Sequence, residues 1–396
     1  MAYKTLPCVV FKTQSLADEE SLHSVVISLL RGLAAVEVAA AHLRADLYPS
    51  LRTVTDPSLW FNGFAFIAGF AHQAVLVFFV ISGWLVGGSL LDKRKESSAI
   101  KSYAIDRLTR LWTVLIPTFL LTLLFALTTD VSLSESTGFI SPSNFSQLTF
   151  IANLFGLQTI LAPPFGANFP LWSLANETWY YVMFPLIISL FFAGSTLHRA
   201  ISAVALLCLA LILPKALLGY FTIWLLGVAF SRIKIDCCAI VRLGWLILTG
   251  AIWSYYRMTA DLSKFDFGTL LPDVLCSLMF LLLLSSIRFA VPRTAFFRCI
   301  RRISIFFANF SFSLYVLHIP LMRLLQYWLY EKFGLRQLSP HNPLDFVLYL
   351  GMLGTLLGGS YLSYRLFEAQ TFAIRRFVKR VLQLRAPVGL ASTDKT

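Results

Sequence analysis

Long apolar runs alternate with short polar segments from near the start of the chain to near its end. A run of about 20 apolar residues is what an α-helix needs to cross the hydrocarbon core of a bilayer. The pattern therefore predicts an all-α polytopic membrane protein with a bundle of about ten transmembrane helices in one domain. The predicted spans are approximately 25–43, 65–91, 108–129, 171–193, 200–213, 216–231, 240–256, 268–287, 304–330 and 345–367.

Two regions leave the number of helices open. The fifth and sixth runs are short and meet at Pro214, so they form either a tight hairpin or one broken element. The segment 148–161 is apolar but short, and it contains Asn153 and Gln158. An interfacial or re-entrant helix suits this segment better than a span, because a span there would place the basic loops that follow on the outside.

Composition and the distribution of charge support a membrane protein. The chain is 57% hydrophobic and 13% charged, whereas an ordinary globular domain has about 25% charged residues. With the N-terminus inside, the inside segments carry 22 of the 33 Lys and Arg residues and the outside loops carry 7. Because cytoplasmic loops are enriched in Lys and Arg, both termini are predicted to be cytoplasmic. The net charge of +13 then reflects topology and attraction to anionic lipid, and not binding to nucleic acid.

The predicted organisation has three parts. Residues 1–24 form a cytoplasmic N-terminal segment, residues 25–370 the transmembrane domain and residues 371–396 a basic cytoplasmic tail. Acidic residues at 18–20 precede the first apolar run, unlike the basic start of a cleaved signal peptide, so we expect the first helix to be retained. The six cysteines have no zinc or redox spacing and none falls in an outside loop, so neither a metal site nor disulfides are expected.

Charged residues near the centre of a membrane helix cost about 2.5–3.5 kcal/mol each and are therefore functional candidates. The first span contains Arg31, Glu37 and His42. Arg31 and His42 lie within about 20° of each other around the helix and roughly 16 Å apart along it, whereas Glu37 falls on another face and is either structural or functional. In the fourth span Glu177 lies roughly 9 Å below the outer edge, in the same half as His42. The two form either an acid/base pair or a structural ion pair.

Further candidates lie on other helices. Arg107 and Arg110 share a helix face at the predicted cytoplasmic interface, where they either bind phosphate or serve as a positive-inside anchor. His72 lies near the outer end of the second span, and His318 lies near mid-membrane beside Pro320. A buried histidine of this kind either lines a cavity or is simply hydrogen bonded. The glycines in the second span, Gly83, Gly87 and Gly88, allow either close helix packing, which is the favoured interpretation, or close approach of a ligand.

Five segments in this order resemble the acyltransferase-3 family of membrane O-acyltransferases. They are RGLAAVEVAAAH, FFVISGWLV, the Arg107 and Arg110 pair followed by Pro117, LWSLANETWYYVMFP and FSLYVLHIP. The resemblance extends over residues 25–370. It implies a bundle of about ten helices that moves an acyl group, usually acetyl from cytoplasmic acetyl-CoA, to a hydroxyl of a carbohydrate such as exopolysaccharide or lipopolysaccharide.

The resemblance also assigns roles to residues. It implies that His42 and Glu177 are catalytic, and that Arg31, Arg107 and Arg110 bind the acyl donor. Contacts to the acceptor are expected from four further residues, His72, Trp172, Tyr181 and His318. The second motif begins with a histidine where the family more often has glycine, which leaves the acceptor open. We expect the stand-alone form of the family, without a fused esterase-like domain, in the inner membrane of a bacterium.

The expected mechanism follows the depth of these residues. The arginines would hold the CoA phosphates inside while the pantetheine arm runs along the first helix to His42. Neutral His42 would take the proton of a sugar hydroxyl, and Glu177 would orient it; a covalent acetyl-histidine is an equally open route. The expected partners are acetyl-CoA, a polysaccharide or lipid-linked sugar, the lipid bilayer and, as a further possibility, a second copy of the chain. A transporter or flippase for a lipid-linked glycan is the alternative, and a non-enzymatic scaffold is a third.

Overall fold

The structure is a computed structural model that describes residues 7–15, 22–51, 53–129, 142–259, 265–287 and 294–382. Its helices are α1 (Leu22–Leu47), α2 (Leu59–Ile67), α3 (Ala71–Ser82), α4 (Gly88–Lys93), α5 (Ala99–Thr128), α6 (Gln147–Leu154), α7 (Leu171–Phe192), α8 (Thr196–Ile212), α9 (Lys215–Phe230), α10 (Ala239–Thr259), α11 (Leu270–Ser286), α12 (Ala295–Phe333), α13 (Pro343–Leu366) and α14 (Thr371–Val381). One antiparallel pair joins strands β1 (Cys8–Phe11) and β2 (Ile233–Asp236). The acidic residues at 18–20, part of the outside loop at 130–141 and the tail at 383–396 lie outside the described residues.

Five helical stretches of the described residues are long and apolar enough to cross a membrane. They are Leu22–Leu47, Leu59–Lys93, Ala99–Thr128, Ala295–Phe333 and Pro343–Val381. Three apolar helices are shorter: α8, α9 and α11. The prediction of a helical multi-pass membrane protein is confirmed, while the count of ten spans and the cytoplasmic position of the termini stay predictions.

The two regions that leave the number of helices open in the sequence both contain helices in the structure. The short fifth and sixth runs form two separate helices, α8 and α9, which meet at Leu213 and Pro214. The segment predicted as interfacial or re-entrant contains α6, whose eight residues extend for only about 12 Å. A helix of this length cannot cross a bilayer.

Helix α1 lies at the centre of the bundle, packed against α3, α12 and α13. Small side chains make this possible, because Ala35 and Ala39 are fully buried and allow neighbouring helices to approach closely. Helix α12 runs parallel to α1, since an added Cβ on Gly32 would meet Phe307 near one end and His42 contacts His318 further along. These directions agree with the alternation that the sequence predicts for the first and ninth spans.

The second predicted span, 65–91, is not one continuous helix. Helix α2 ends at Ile67 and α3 begins at Ala71, and the break exposes backbone groups that need partners. The carboxylate of Glu37 accepts a hydrogen bond from the N–H of Phe70 at 2.7 Å. Arg44 and Arg257 donate to carbonyl groups near the end of α2 at 3.2 and 3.3 Å. Glu37 therefore has a structural role at this break.

Helices α3 and α9 pack backbone against backbone through two glycines. An added Cβ on Gly83 would lie 1.9 Å from the carbonyl oxygen of Trp224, and one on Gly227 would lie 2.2 Å from that of Val80. The packing interpretation of Gly83 is thus confirmed. A π-helical turn at Gly83–Gly87 follows α3 at this contact. Trp224 donates from Nε1 to the hydroxyl of Ser82 at 3.1 Å, which holds Ser82 in the wall of the cavity described next.

Candidate active site

A cavity of about 320 Å³ lies between α1, α3, α4, α5, α7, α12 and α14. Its walls are mostly aromatic and aliphatic, and it contains a cluster of charged groups. The structure brings five of the predicted site residues together here: Arg31, Arg107, Arg110, Glu177 and Tyr181. An apolar pocket with a few convergent polar groups is typical of a small-molecule site.

Arg31, Arg107 and Arg110 converge on the cavity from two helices. In the part of the chain that the structure describes, none of their guanidinium groups donates a hydrogen bond or forms an ion pair. The Nε atom of Arg107 is buried without a hydrogen-bond partner. Cζ of Arg107 instead lies 5.7 Å from the ring centroid of Tyr181. Cζ of Arg110 lies 5.5 Å from the ring centroid of Phe312. The three arginines are half-buried, and a buried N–H such as Nε of Arg107 requires an acceptor, so the cluster favours a bound anion.

Glu177 lies in the wall of the same cavity. Its Oε1 accepts hydrogen bonds from the hydroxyl of Ser82 and, at 2.5 Å, from that of Tyr181 one helical turn further along α7. Arg31 is an electrostatic neighbour of this carboxylate. The two hydroxyl donors fix the orientation of Glu177, and its charge partly offsets the arginine cluster.

His42 does not line the cavity, and it does not contact Glu177. Its Nδ1 lies 2.9 Å from Nε2 of His318, and the two rings stack with their centroids 5.1 Å apart. The rings of Phe169 and His42 pack edge to face, with their centroids 4.9 Å apart. The predicted direct pairing of His42 with Glu177 is therefore absent from this structure, while the predicted roles of both residues stay predictions.

The reason for this difference is the depth at which α7 begins. The loop before α7 packs into the bundle: Phe165 is buried and the side chain of Asn168 donates to the carbonyl of Val316 in α12 at 2.8 Å. Helix α7 therefore begins close to the level of Val316 in α12. This places Glu177 beside Ser82, toward the Arg31 end of α1. Counting residues from an assumed membrane surface could not reveal this depth.

A wall of polar contacts separates the cavity from the histidine pair. The hydroxyls of Tyr315 and Ser173 lie 2.6 Å apart, and Tyr315 also donates to the carbonyl of Pro170 at 3.2 Å. Both Tyr315 and Ser173 line the cavity, and His318 lies one helical turn beyond Tyr315. Tyr315 therefore reaches both the cavity and the histidine pair, because its ring centroid lies 6.0 Å from that of His318.

His318 is fully buried, with an exposed fraction of 0%. Its Nε2 lies next to His42, and its Nδ1 lies 2.8 Å from the carbonyl oxygen of Tyr315. With both ring nitrogens engaged, direct contact with the acceptor has no support in this structure. The pairing of His42 with His318 was missed because periodicity does not reveal which helices are neighbours.

His72 and Trp172 belong to a different buried cluster. Nε2 of His72 lies 2.9 Å from both carboxylate oxygens of Asp273, which also accepts from Tyr220 at 2.5 Å. Phe265 packs against both His72 and Trp172. Its ring centroid lies 3.9 Å from that of His72 and 4.4 Å from that of Trp172. Neither residue lines the cavity, and acceptor binding by them stays a prediction.

Helix α14 contributes to the cavity although sequence analysis assigned residues 371–396 to a tail. Phe372 and Arg375 line the cavity. Arg375 and Lys379 form ion pairs with Asp106 of α5 at 3.3 and 2.7 Å, which folds α14 back against the bundle. The signal available in the sequence was the spacing of these two cations, which places them on one helix face.

Within the described residues, no group of three or more His, Cys, Asp or Glu could hold a metal ion. The six cysteines are unpaired, and three of them, Cys8, Cys208 and Cys299, are exposed.

The fold and cavity define a class: a multi-pass helical membrane protein whose cavity is lined by an arginine cluster suited to an anionic ligand. Among protein families, the acyltransferase domain of the acyltransferase-3 family matches residues 25–365. Because the match covers most of the chain, this protein belongs to that family and is a membrane O-acyltransferase, so the resemblance read from the sequence motifs is confirmed. Comparison with curated proteins and with solved structures gives no match.

Proposed function

We propose that this protein transfers an acetyl group from cytoplasmic acetyl-CoA to a hydroxyl of an extracytoplasmic or lipid-linked polysaccharide, such as an exopolysaccharide or lipopolysaccharide. The observation that carries the proposal is the cluster of Arg31, Arg107 and Arg110, whose guanidinium groups form no hydrogen bond or ion pair in the described chain although Glu177 and Glu368 are electrostatic neighbours. CoA is strongly anionic through its phosphates, and planar guanidinium groups bind phosphate in bidentate geometry. The bacterial inner membrane is the proposed location.

The volume of the cavity suits one end of acetyl-CoA. A volume of about 320 Å³ is small for the whole molecule but suits its narrow pantetheine arm. The nucleotide end, with its phosphates, would remain at the mouth beside Arg107 and Arg110. The oxygen of Glu177 that is not hydrogen bonded to Ser82 or Tyr181 is suited to accept a pantetheine amide N–H.

Chemistry is proposed at His42, beyond the wall of Tyr315 and Ser173. His42 takes the proton of a sugar hydroxyl while the hydroxyl oxygen attacks the thioester carbonyl. The new ester C–O bond forms, the C–S bond breaks, and the proton passes to the departing CoA thiolate. In this scheme Glu177 acts on the donor in the cavity, and orientation of His42 by Glu177 is not needed.

Transfer of radiolabelled acetyl from acetyl-CoA to glycan in membranes tests the proposal. We expect the wild type to label the glycan and His42→Ala to lose at least about 100-fold of this activity, because a general base contributes about 10²–10⁴-fold. Arg107→Ala should raise KM for acetyl-CoA by about tenfold, since a hydrogen bond between charged groups contributes about 1.5–3 kcal/mol. Lys101→Ala is the matched control, because Lys101 is an exposed cation on the same helix.

Each contrary result has a definite meaning. Wild-type transfer by a folded His42→Ala variant would remove His42 from the mechanism. An equal effect of Lys101→Ala and Arg107→Ala on KM would reduce the arginine cluster to a general attraction for anions. Absence of label with wild type, in membranes that contain acceptor, would point to another acyl donor or to glycan transport.

A further inference from the structure

We infer that His318 is a positioning residue that fixes His42 in the Nδ1–H tautomer, so that Nε2 of His42 presents a free lone pair to the acceptor hydroxyl. The catalytic consequence rests on the proposed function of His42 as the base. The arrangement of protons rests only on the hydrogen bonds around the two rings.

The first step concerns the proton on His318. Its Nδ1 lies 2.8 Å from the carbonyl oxygen of Tyr315 and 3.2 Å from that of Leu314. A carbonyl oxygen only accepts hydrogen bonds, so Nδ1 of His318 must carry hydrogen. The ring is fully buried, and in the described chain no carboxylate pairs with it, so the neutral form is favoured over a buried cation. A neutral imidazole has one N–H, and Nε2 of His318 is therefore an acceptor.

The second step transfers this constraint to His42. Its Nδ1 lies 2.9 Å from Nε2 of His318, so the hydrogen between them belongs to His42. Nε2 of His42 is then left without hydrogen, as a general base requires. Unlike His318, the His42 side chain is only partly buried, and its Nε2 has no hydrogen-bond partner among the described residues.

The third step explains why the His318 ring is held in place. Pro320 has no N–H, so the carbonyl of Val316 loses its normal helical partner four residues ahead. The side chain of Asn168 supplies the missing donor at 2.8 Å. Arg323, one turn beyond Pro320, donates to the carbonyls of Gly166 and Ala167 in the same loop at 2.9 and 3.1 Å. The loop therefore fixes α12 on either side of Pro320.

A direct test is nitrogen NMR of the full chain labelled at histidine and embedded in lipid nanodiscs. The chain has six histidines, so the His42 signals can be assigned with a His42→Gln sample. We expect the Nδ1–H tautomer for His42 in wild type and a shift toward the Nε2–H tautomer in His318→Leu. In His318→Gln, His42 should retain the Nδ1–H tautomer, because the amide oxygen of the glutamine can accept the hydrogen bond from His42.

Acetyl transfer by the same variants supplies a second readout. His318→Leu should lower kcat about 10- to 100-fold, part of what a correctly oriented general base contributes, with KM for acetyl-CoA unchanged. His318→Gln should recover most of this loss. Leu317→Ala is the control for packing, because Leu317 is buried beside His318 and makes no side-chain hydrogen bond.

The outcomes separate this inference from the proposed function. An Nε2–H tautomer for His42 in wild type would overturn the inference, and so would an unchanged tautomer in His318→Leu. If His318→Leu fails to fold, an Nε2–H tautomer of His42 in wild type or in His318→Gln would still overturn the inference. The expected tautomers together with no acetyl transfer by wild type would support the proton arrangement and overturn the proposed function.

Discussion

Glu37 and Glu177 are both glutamates of membrane helices, but their carboxylates have different partners. Glu37 accepts from a backbone N–H at the break between α2 and α3, with Arg44 and Arg257 as electrostatic neighbours. Glu177 accepts only from hydroxyls and lies in the wall of the arginine cavity. The first arrangement stabilises a helix break, and the second leaves charge available to a ligand.

Replacing each glutamate by glutamine should distinguish these roles. In Glu37→Gln the amide oxygen still accepts from Phe70, so we expect acetyl transfer within about twofold of wild type. In Glu177→Gln the charge is lost and an N–H donor replaces a carboxylate acceptor, so transfer should fall more than about tenfold, as expected when a charged hydrogen bond is lost. Transfer is measured at matched amounts of protein in the membrane.

Glu37→Ala supplies the control for this pair. It leaves the partly buried N–H of Phe70 without an acceptor and should destabilise the protein by about 1 kcal/mol, which thermal unfolding in detergent measures. Equal loss of transfer in both glutamine variants, with unfolding unchanged, would contradict the separation of roles. The sequence alone could not separate them, because depth in the membrane does not reveal which group a carboxylate meets.

At the scale of elements, helix α12 and the loop before α7 form one unit. The loop donates from Asn168 to the carbonyl that Pro320 leaves without a helical partner, and it accepts from Arg323. Pro320 predicts a kink from sequence alone. The sequence does not show what satisfies the kink, because the partner, Asn168, lies 148 residues away in the loop before α7.

A double-mutant cycle between Asn168 and Pro320 tests this unit. Asn168→Ala should destabilise the protein by about 1–3 kcal/mol, because the buried carbonyl of Val316 loses its donor. In a Pro320→Ala background the backbone N–H of residue 320 can supply that donor, so Asn168→Ala should cost markedly less. Thermal unfolding in detergent of wild type, the two single variants and the double variant gives the coupling free energy between Asn168 and Pro320.

Additive effects in this cycle would contradict the assignment, because independent groups show no coupling. Thr355→Ala is a control for the loss of a side-chain hydrogen bond elsewhere. Thr355 is exposed on α13 and donates to a carbonyl of its own helix, so its replacement should have little effect on unfolding.

At the scale of the whole molecule, the sequence predicted the multi-pass helical class, the family and the grouping of Arg31 with Arg107 and Arg110, but it placed Glu177 with His42 and not with these arginines. Those predictions depended on hydropathy and on local motifs. The break between α2 and α3, the depth of α7 and the docking of α14 depended on contacts between distant segments. The hydrogen bond from Phe70 to Glu37 holds the break, and the ion pairs of α14 with Asp106 hold that helix against α5. No local sequence pattern predicts these contacts.

The orientation of the bundle is the whole-molecule prediction that matters most for function. After replacing the six native cysteines by serine, single cysteines at Lys95 and His341 would report the two sides, because both residues are exposed. In intact cells a membrane-impermeant maleimide should label His341→Cys and leave Lys95→Cys unlabelled until the cells are lysed, since basic loops face the cytoplasm. The reverse pattern would place Arg107 and Arg110 outside, where acetyl-CoA is absent, and would overturn both the topology and the proposed acyl donor.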